Sequence, residues 1–294
     1  MKIVLTGSLG HIGKPLTQKL VEKGHSVTVI SSNPAKQADI EASGAQAAIG
    51  SVGDVNFLTD AFTASDAVYC MVPPDFGQAD QVLYYQNLGN TYANAIRKAG
   101  VKRIVHLSSY GAHLSSGTGF ITGSYQVEQL LNAIANVHVT HVRPTFFYYN
   151  LLHFVEMIKT AHFIGAVYGG TDKLSMVSPT DIAVVIAEEL QIGEGANVVR
   201  YVASDDRTCN EIASVLGKAI GMPNLKWLVL PKENVLQALK EAGMPSNAAD
   251  NLVELGEAIH SGKLREDYGL HTPVYGTVKL EAYAVEFARI FKAK

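Results

Sequence analysis

Residues 1–13 read MKIVLTGSLGHIG. The apolar run at the front reads as a strand over Lys2–Thr6, and the amphipathic stretch His11–Lys23, closed by Gly24, reads as a helix. Between them lie three glycines, in Thr6-Gly7-Ser8-Leu9-Gly10-His11-Ile12-Gly13. A helix that starts directly after a strand leaves its first N–H groups without intrahelical partners, at the positive end of its dipole. That is a ready site for a pyrophosphate. In such a loop Gly7 permits the tight turn, Gly10 lets the backbone approach a phosphate, and Gly13 lets the helix pack close to the strand. A glycine pattern alone is weak; strand before and helix after give it weight, and the reading is a dinucleotide-binding loop.

Outward from this loop the chain alternates. Strands are expected at Ser26–Ser31, Ala45–Gly50, Ala67–Val72, Arg103–Ser108 and Val137–Arg143, with helices at Ala35–Ser43, Val55–Phe62, Asp80–Ala99 and Gly123–Ala135. The strands are apolar with little alternation (IVL, VTVI, AVYCMV, RIVHL), as when helices cover both faces of a parallel sheet. The fold class is therefore α/β, a doubly wound parallel Rossmann sheet with a smaller, mainly helical C-terminal lobe. Residues 1–150 form the dinucleotide-binding domain, with the sheet completed by about 172–205. Residues 151–171 and 206–294 form the smaller substrate or interaction lobe. Phe146–Thr160 reads as the entry to a helix, and Gly165–Gly170 and Leu174–Val177 as short strands.

Bulk properties narrow the class of partner. The chain has 294 residues, 47% hydrophobic and 17% charged, enough to bury a substantial core. A net charge of −3 and the absence of a basic run argue against nucleic acid. Cys70 and Cys209 stand far apart and outline neither a disulfide framework nor a thiolate metal site, and no metal is expected. The N-terminus does not read as a signal peptide and nothing reads as a membrane span, so a cytoplasmic protein is expected. HExxH, GxSxG and GxxxxGK[ST] do not occur, which argues against a zinc protease, a serine hydrolase and a P-loop enzyme.

The end of the second strand bears on which dinucleotide binds. An acidic residue there would hold the ribose 2′-hydroxyl of NAD and repel a 2′-phosphate. Here the chain reads Ser31-Ser32-Asn33-Pro34, with Lys36 nearby and no acid, so NADP(H) is expected over NAD(H). The plainer reading of Ser32 and Asn33 is a helix cap.

Taken together, TGSLGHIG, SSNP, DAVYCMVPP, RIVHLSSYGA, HVRPTFFYYN and SPTDIAVVIAEEL resemble the NmrA-like branch of the atypical short-chain dehydrogenase/reductases, from residue 1 to about 220. Proteins of that branch include quinone reductases, dye reductases and regulators that bind NADP(H) without turnover. The resemblance implies that Gly7, Ser8, Gly10, His11 and Ile12 line the diphosphate, and that Ser31, Ser32 and Asn33 meet the adenosine ribose. Ser51 stands where many relatives carry an Asp for adenine. Met71, Val72 and Pro73 are placed against the adenosine, Ser108, Ser109 and Tyr110 beside the nicotinamide, and Pro144, Thr145 and Phe146 on its other side.

The chemistry is less complete. The wider superfamily uses a Tyr with a Lys four residues on, which lowers the phenol pKa so that it can pass a proton. Here Tyr110 is followed by Leu114 and Tyr125 by Gln129, and Ser124 stands where relatives often carry Lys or His before the glutamate matching Glu128. Tyr125 and Ser109 remain as catalytic candidates without that pair. An electron-poor acceptor needs mainly the hydride; Tyr125, Phe146, Phe147, Tyr148 and Tyr149 could supply a flat aromatic pocket for it, with Phe147, Tyr148 and Asn150 expected to line it, while core packing is the plainer reading of the aromatics and helix capping that of Asn150. His106 reads as a hydrogen-bonded core histidine, and Tyr84 and Tyr85 as packing or a dimer face; His113, in the loop after the fifth strand and near the site by position, could donate a proton, but a surface histidine is the plainer reading. Two functions follow. One is an NAD(P)H-dependent reductase of a small acceptor such as a quinone or dye. The other is a non-catalytic NADP(H) sensor that docks a regulatory protein partner. A monomer or homodimer suits either.

Overall fold

The computed structural model describes residues 1–294 apart from Glu194, Thr272 and Lys294. Its main sheet grows from the first strand, β1 (Lys2–Leu5), which leads through the glycine loop into α1 (Gly13–Glu22). There follow β2 (Ser26–Ser31), a 3₁₀ turn (Pro34–Lys36) running into α2 (Gln37–Ala42), β3 (Gln46–Ile49), α3 (Val55–Phe62), β4 (Ala67–Met71), α4 (Gln81–Ala99), β5 (Arg103–Leu107), α5 (Ile121–Asn132) and β6 (His138–Pro144). The helix expected from Ala35 thus opens as a 3₁₀ turn. Pro34 fixes the first φ, and Asn33 caps the turn by accepting from the Ala35 N–H.

After β6 the chain makes a two-residue strand β7 (Phe146–Phe147), a 3₁₀ stretch (Tyr148–Phe154) and α6 (Val155–Ala161), so the expected helix entry is broken in two. Next come β8 (Ile164–Ala166), β9 (Lys173–Val177), α7 (Pro179–Glu189), β10 (Val198–Ala203), β11 (Asp205–Thr208) and α8 (Cys209–Ile220). The chain ends with β12 (Trp227–Val229), α9 (Lys232–Glu241), α10 (Ser246–His260), α11 (Arg265–Tyr268), β13 (Val274–Tyr275) and α12 (Leu280–Ala293).

Eight of these strands form one sheet in the order β13-β10-β6-β5-β4-β1-β2-β3, with every adjacent pair parallel. The order reverses between β1 and β4, and at such a switch point the carboxyl ends of the strands open a crevice. One face packs α1 and α7 over Leu5, Val29, Val105 and Val142; the other packs α3, α4 and α5 over Val4, Val68, Ile104 and Val139. Burial on both faces is why these strands carry so little polar alternation. β9 does not join this sheet: with β7 and β11 it makes a small three-stranded one, and β8 pairs with β12. The lobe has its own core, where Tyr148, Leu151, Trp227, Tyr283 and Phe287 meet.

α4 and α5 cross closely because Gly89 and Gly123 lack side chains: a Cβ on Gly123 would stand 2.5 Å from that of Tyr85. Tyr85 is therefore packing between helices. The Tyr84 hydroxyl donates to the Pro73 carbonyl at 3.0 Å and pegs the loop after β4. Among the described residues, no helix is long and apolar enough to cross a membrane.

Candidate functional site

At the switch point the glycine loop is built as its residue types demand. Gly7 has φ 91°, a left-handed conformation that costs a glycine nothing, and Ser8 follows at φ 55°. Gly13 proves to clear the loop's own backbone: a Cβ there would stand 2.1 Å from the Ser8 carbonyl oxygen. The Ser8 N–H donates to Ile30 O and the Thr6 N–H to Tyr69 O, tying the loop to β2 and β4. No side chain caps α1, and its first turn holds no acidic residue. Its N-terminus is left for a negatively charged group from outside the chain.

The other expected cofactor positions are partly engaged by the protein itself. Ser31, buried at the end of β2, shares a hydrogen bond with the Ser8 hydroxyl (3.2 Å) and accepts from the Asn33 N–H (3.2 Å). Ser32 is exposed. Lys36 is ion-paired to Asp39 at 3.1 Å on the surface, so its charge is shared. The Ser51 hydroxyl accepts from the Gly53 N–H and shapes its own turn. Met71 lies against Gly7, and its carbonyl accepts from the Tyr92 hydroxyl at 2.6 Å; Val72 is buried and Pro73 half-buried beyond it.

The aromatic run after β6 divides. Thr145 is buried, its N–H donating to Val202 O, and the Pro144 carbonyl accepts from the Tyr110 N–H. Phe146 and Tyr148 turn into the lobe core; Tyr148 is 1% exposed, stacks on Tyr283 and donates its hydroxyl to Val278 O. Tyr148 therefore does not line a pocket, because α12 covers it. Tyr149, two residues on from Phe147, takes the place by the crevice. Its ring stacks on His11 of the glycine loop (centroids 4.6 Å apart, 25° between planes) and leans on Phe147 at 5.2 Å. Burial pushes its phenol up to about 12. Phe147, Tyr149 and His11 thus form an aromatic shelf beside the loop. Asn150 sits inside the 3₁₀ stretch and caps nothing; Phe147 holds the N-cap position.

The end of β5 carries a buried polar cluster. The Ser108 hydroxyl donates to Glu128 Oε1 of α5. Glu128 also receives the Arg143 fork, Nε at 2.9 Å and Nη2 at 2.6 Å. Arg143 in turn reaches the Tyr201 hydroxyl and Asp267, each at 3.0 Å. Burial opposes the charge of Arg143, but the hydrogen bonds and charge of Glu128 more than offset this and hold the guanidinium above its usual range. Tyr110 turns its ring away from the crevice to pack edge-on against Tyr268, and burial raises its phenol well above the ordinary value. The Ser109 hydroxyl donates to the Tyr110 carbonyl at 3.3 Å. Tyr125 and Ser124 lie on α5, half-buried and buried respectively.

Two histidine readings come out differently. His106 is a core residue, its Nδ1 3.0 Å from Nδ1 of His141. His113 is half-buried, and both its ring nitrogens are shut away from solvent without a hydrogen-bond partner among the described residues. Burial lowers its pKa, with Asp267 and Glu266 of α11 opposing. Sequence spacing carries no sign of that cover, because α11 lies more than 150 residues downstream.

A doubly wound parallel sheet with an open glycine loop at its switch point defines a Rossmann-type protein. The chain belongs to the NmrA-like family, whose model matches residues 1–283. A curated relative, the NAD(P)H azoreductase of Xenophilus azovorans, is 28% identical over 86% of this chain and 85% of its own length. An NADPH-dependent quinone oxidoreductase from Escherichia coli, solved with NADPH, superposes with a TM-score of 0.79 at 22% identity, covering 97% of this chain and 99% of that one. The Citrobacter sp. triphenylmethane reductase solved with NADP(H) superposes with a TM-score of 0.77 at 19% identity, over 97% and 99%.

Proposed function

We propose that this protein is an NADP(H)-dependent reductase that passes a hydride from the nicotinamide to a flat, electron-poor acceptor such as a quinone, an azo compound or a dye. The observation that carries the reading is the shelf of Phe147, Tyr149 and His11 set directly against an uncapped glycine loop. One face offers the N–H groups for a diphosphate and the adjoining face offers stacking for a planar ring. Gly7, Ser8, Gly10, His11 and Ile12 would hold the diphosphate, and Ser31, Ser32 and Asn33 the adenosine ribose. Met71, Val72 and Pro73 would lie on the adenosine side. Pro144, Thr145 and Phe146 would flank the nicotinamide through their backbone, since the Phe146 ring belongs to the lobe.

The relatives' names favour the same chemistry: one reduces azo compounds, and the two solved structures are of a quinone and a dye reductase. The proton arrangement agrees with it. Ser108 and Ser109 direct their protons into the protein, so the end of β5 does not polarise a carbonyl as a ketone reductase must. A cationic dye needs only the hydride, and positioning supplies much of such a rate. The preference for NADP(H) over NAD(H) rests on the absence of an acid after β2; the sharing of Lys36 with Asp39 keeps it modest.

The test is NADPH and NADH oxidation with a panel of quinones, azo dyes and triphenylmethane dyes. Turnover with at least one class and tighter binding of NADPH are expected. Tight NADPH binding without turnover of any acceptor would favour the second reading, a redox sensor acting through a protein partner. The specific observation on its side is the same inward direction of the Ser108 and Ser109 protons.

A further inference from the structure

We propose that Ser108 meets the cofactor as a hydrogen-bond acceptor, taking the carboxamide N–H of the nicotinamide, with Glu128 and Arg143 as the positioning residues that impose this role. The inference rests on the NADP(H) reading of the site and deepens it. A serine hydroxyl has one proton and two lone pairs. Here the proton is committed: Ser108 Oγ donates to Glu128 Oε1, and both residues are buried.

Glu128 cannot return a proton in exchange. The same Oε1 accepts from Arg143 Nε at 2.9 Å, and Oε2 accepts from Nη2 at 2.6 Å. A guanidinium is always a donor, and its bidentate fork leaves the carboxylate with acceptor roles only. Nor is the fork free to swing. Arg143 Nη1 is held by the Tyr201 hydroxyl and by Asp267, each at 3.0 Å, and Tyr201 itself donates to Asp267 at 2.6 Å. The chain of bonds runs from the end of β5 through α5, β6 and β10 to α11, and each of these donors is already engaged by an acceptor within the protein.

What remains to Ser108 Oγ, at the carboxyl end of β5, is lone pairs. They repel the oxygens of a quinone and the nitrogens of an azo bond, which are themselves acceptors. They match an N–H, and the nicotinamide carboxamide is the group of the cofactor that carries a free N–H₂ next to the reacting ring. An acceptor fixed at this point would also set the rotation of the amide about its bond to the ring.

The experiment compares equilibrium binding of NADPH with that of its acetylpyridine analogue, in which a methyl ketone replaces the amide and no N–H is left. Both are titrated into the wild-type chain and into Ser108→Ala. Loss of one hydrogen bond is expected to weaken NADPH binding to Ser108→Ala by about three- to ten-fold. Binding of the analogue should be the same for both proteins. Ser108→Gly, which removes the same hydroxyl with a smaller side chain, should show the same split. A merely structural role for Ser108 would weaken both ligands alike and overturn the proposal, as would no loss for either. If the wild-type chain binds neither ligand, the NADP(H) reading itself is refuted and this assignment falls with it, a result distinct from an equal loss.

Discussion

Lowering the pH from 6.5 to 5 should destabilise this protein through one buried pair, His106 and His141. The two rings sit on adjacent strands, directly opposite in register, under α5. Their protonation follows from the bonds around them. Asn132 Oδ1 accepts from the Asn197 side-chain amide at 3.0 Å and lies 3.1 Å from His141 Nε2, so Nε2 carries the proton. His141 Nδ1 is then the lone pair that receives the His106 Nδ1–H at 3.0 Å. Charging His141 would set two N–H groups against each other, close to the Arg143 charge. Burial, followed by that charge, pushes His141 down to about 4 against the opposing pull of Glu128, and burial with the neighbouring His141 and Arg143 charges pushes His106 well below its usual range.

Both histidines thus bind fewer protons folded than unfolded. Their contribution to stability is complete above the unfolded value of about 6.5 and is lost as pH falls below it. Each pH unit costs up to about 1.4 kcal/mol per group; the unfolded rings are already half protonated at pH 6.5, so from pH 6.5 to 5 the pair accounts for about 3 kcal/mol, a large share of a typical folding free energy. The assay is urea unfolding at half-unit steps between pH 7 and 5. His141→Gln, whose amide can meet the same neighbours, should remove about half of the pair's share of the slope; His113, also lowered by burial, supplies part of the remainder. A free energy that stays flat over this range, or an unchanged slope in His141→Gln, would refute the assignment of neutral rings.

Gly13→Ala places a methyl group 2.1 Å from the Ser8 carbonyl, which forces the loop to shift by about 1 Å; NADPH affinity should fall by about 100-fold in a binding titration, and retained affinity would count against the loop. Arg143→Met leaves the Glu128 carboxylate buried with one donor in place of three. It should cost about 3–5 kcal/mol in urea unfolding, part of which returns in the double variant with Glu128→Gln; full additivity would contradict a shared network. Tyr149→Ala breaks the shelf and should raise KM for planar acceptors by about two- to ten-fold, the worth of one aromatic pair, while NADPH binding stays within about two-fold. A KM that does not move would remove the shelf from the acceptor site.

What the sequence determined by itself is local in origin. Glycine at positions 7 and 13, unbroken apolar strands, helices of regular length and a missing acid after Ser31 each depend on the conformation or polarity of a few consecutive residues. They led directly to the sheet, the glycine loop and the expected cofactor. The division of the run Phe146–Tyr149 is different. All four are aromatic, one Phe and one Tyr going each way; β9 and α12 decide that Phe146 and Tyr148 are core, while Phe147 and Tyr149 are left beside His11. The same holds for the polar residues of the site. Ser108, Glu128, Arg143 and Asp267 come from β5, α5, β6 and α11, and only the folded chain joins them into one hydrogen-bonded row. That row sets the direction of each proton, and with it whether a serine donates or accepts. The physical reason is that a hydroxyl's role belongs to its neighbours, which sequence spacing does not specify, whereas a glycine's conformational freedom belongs to the residue itself.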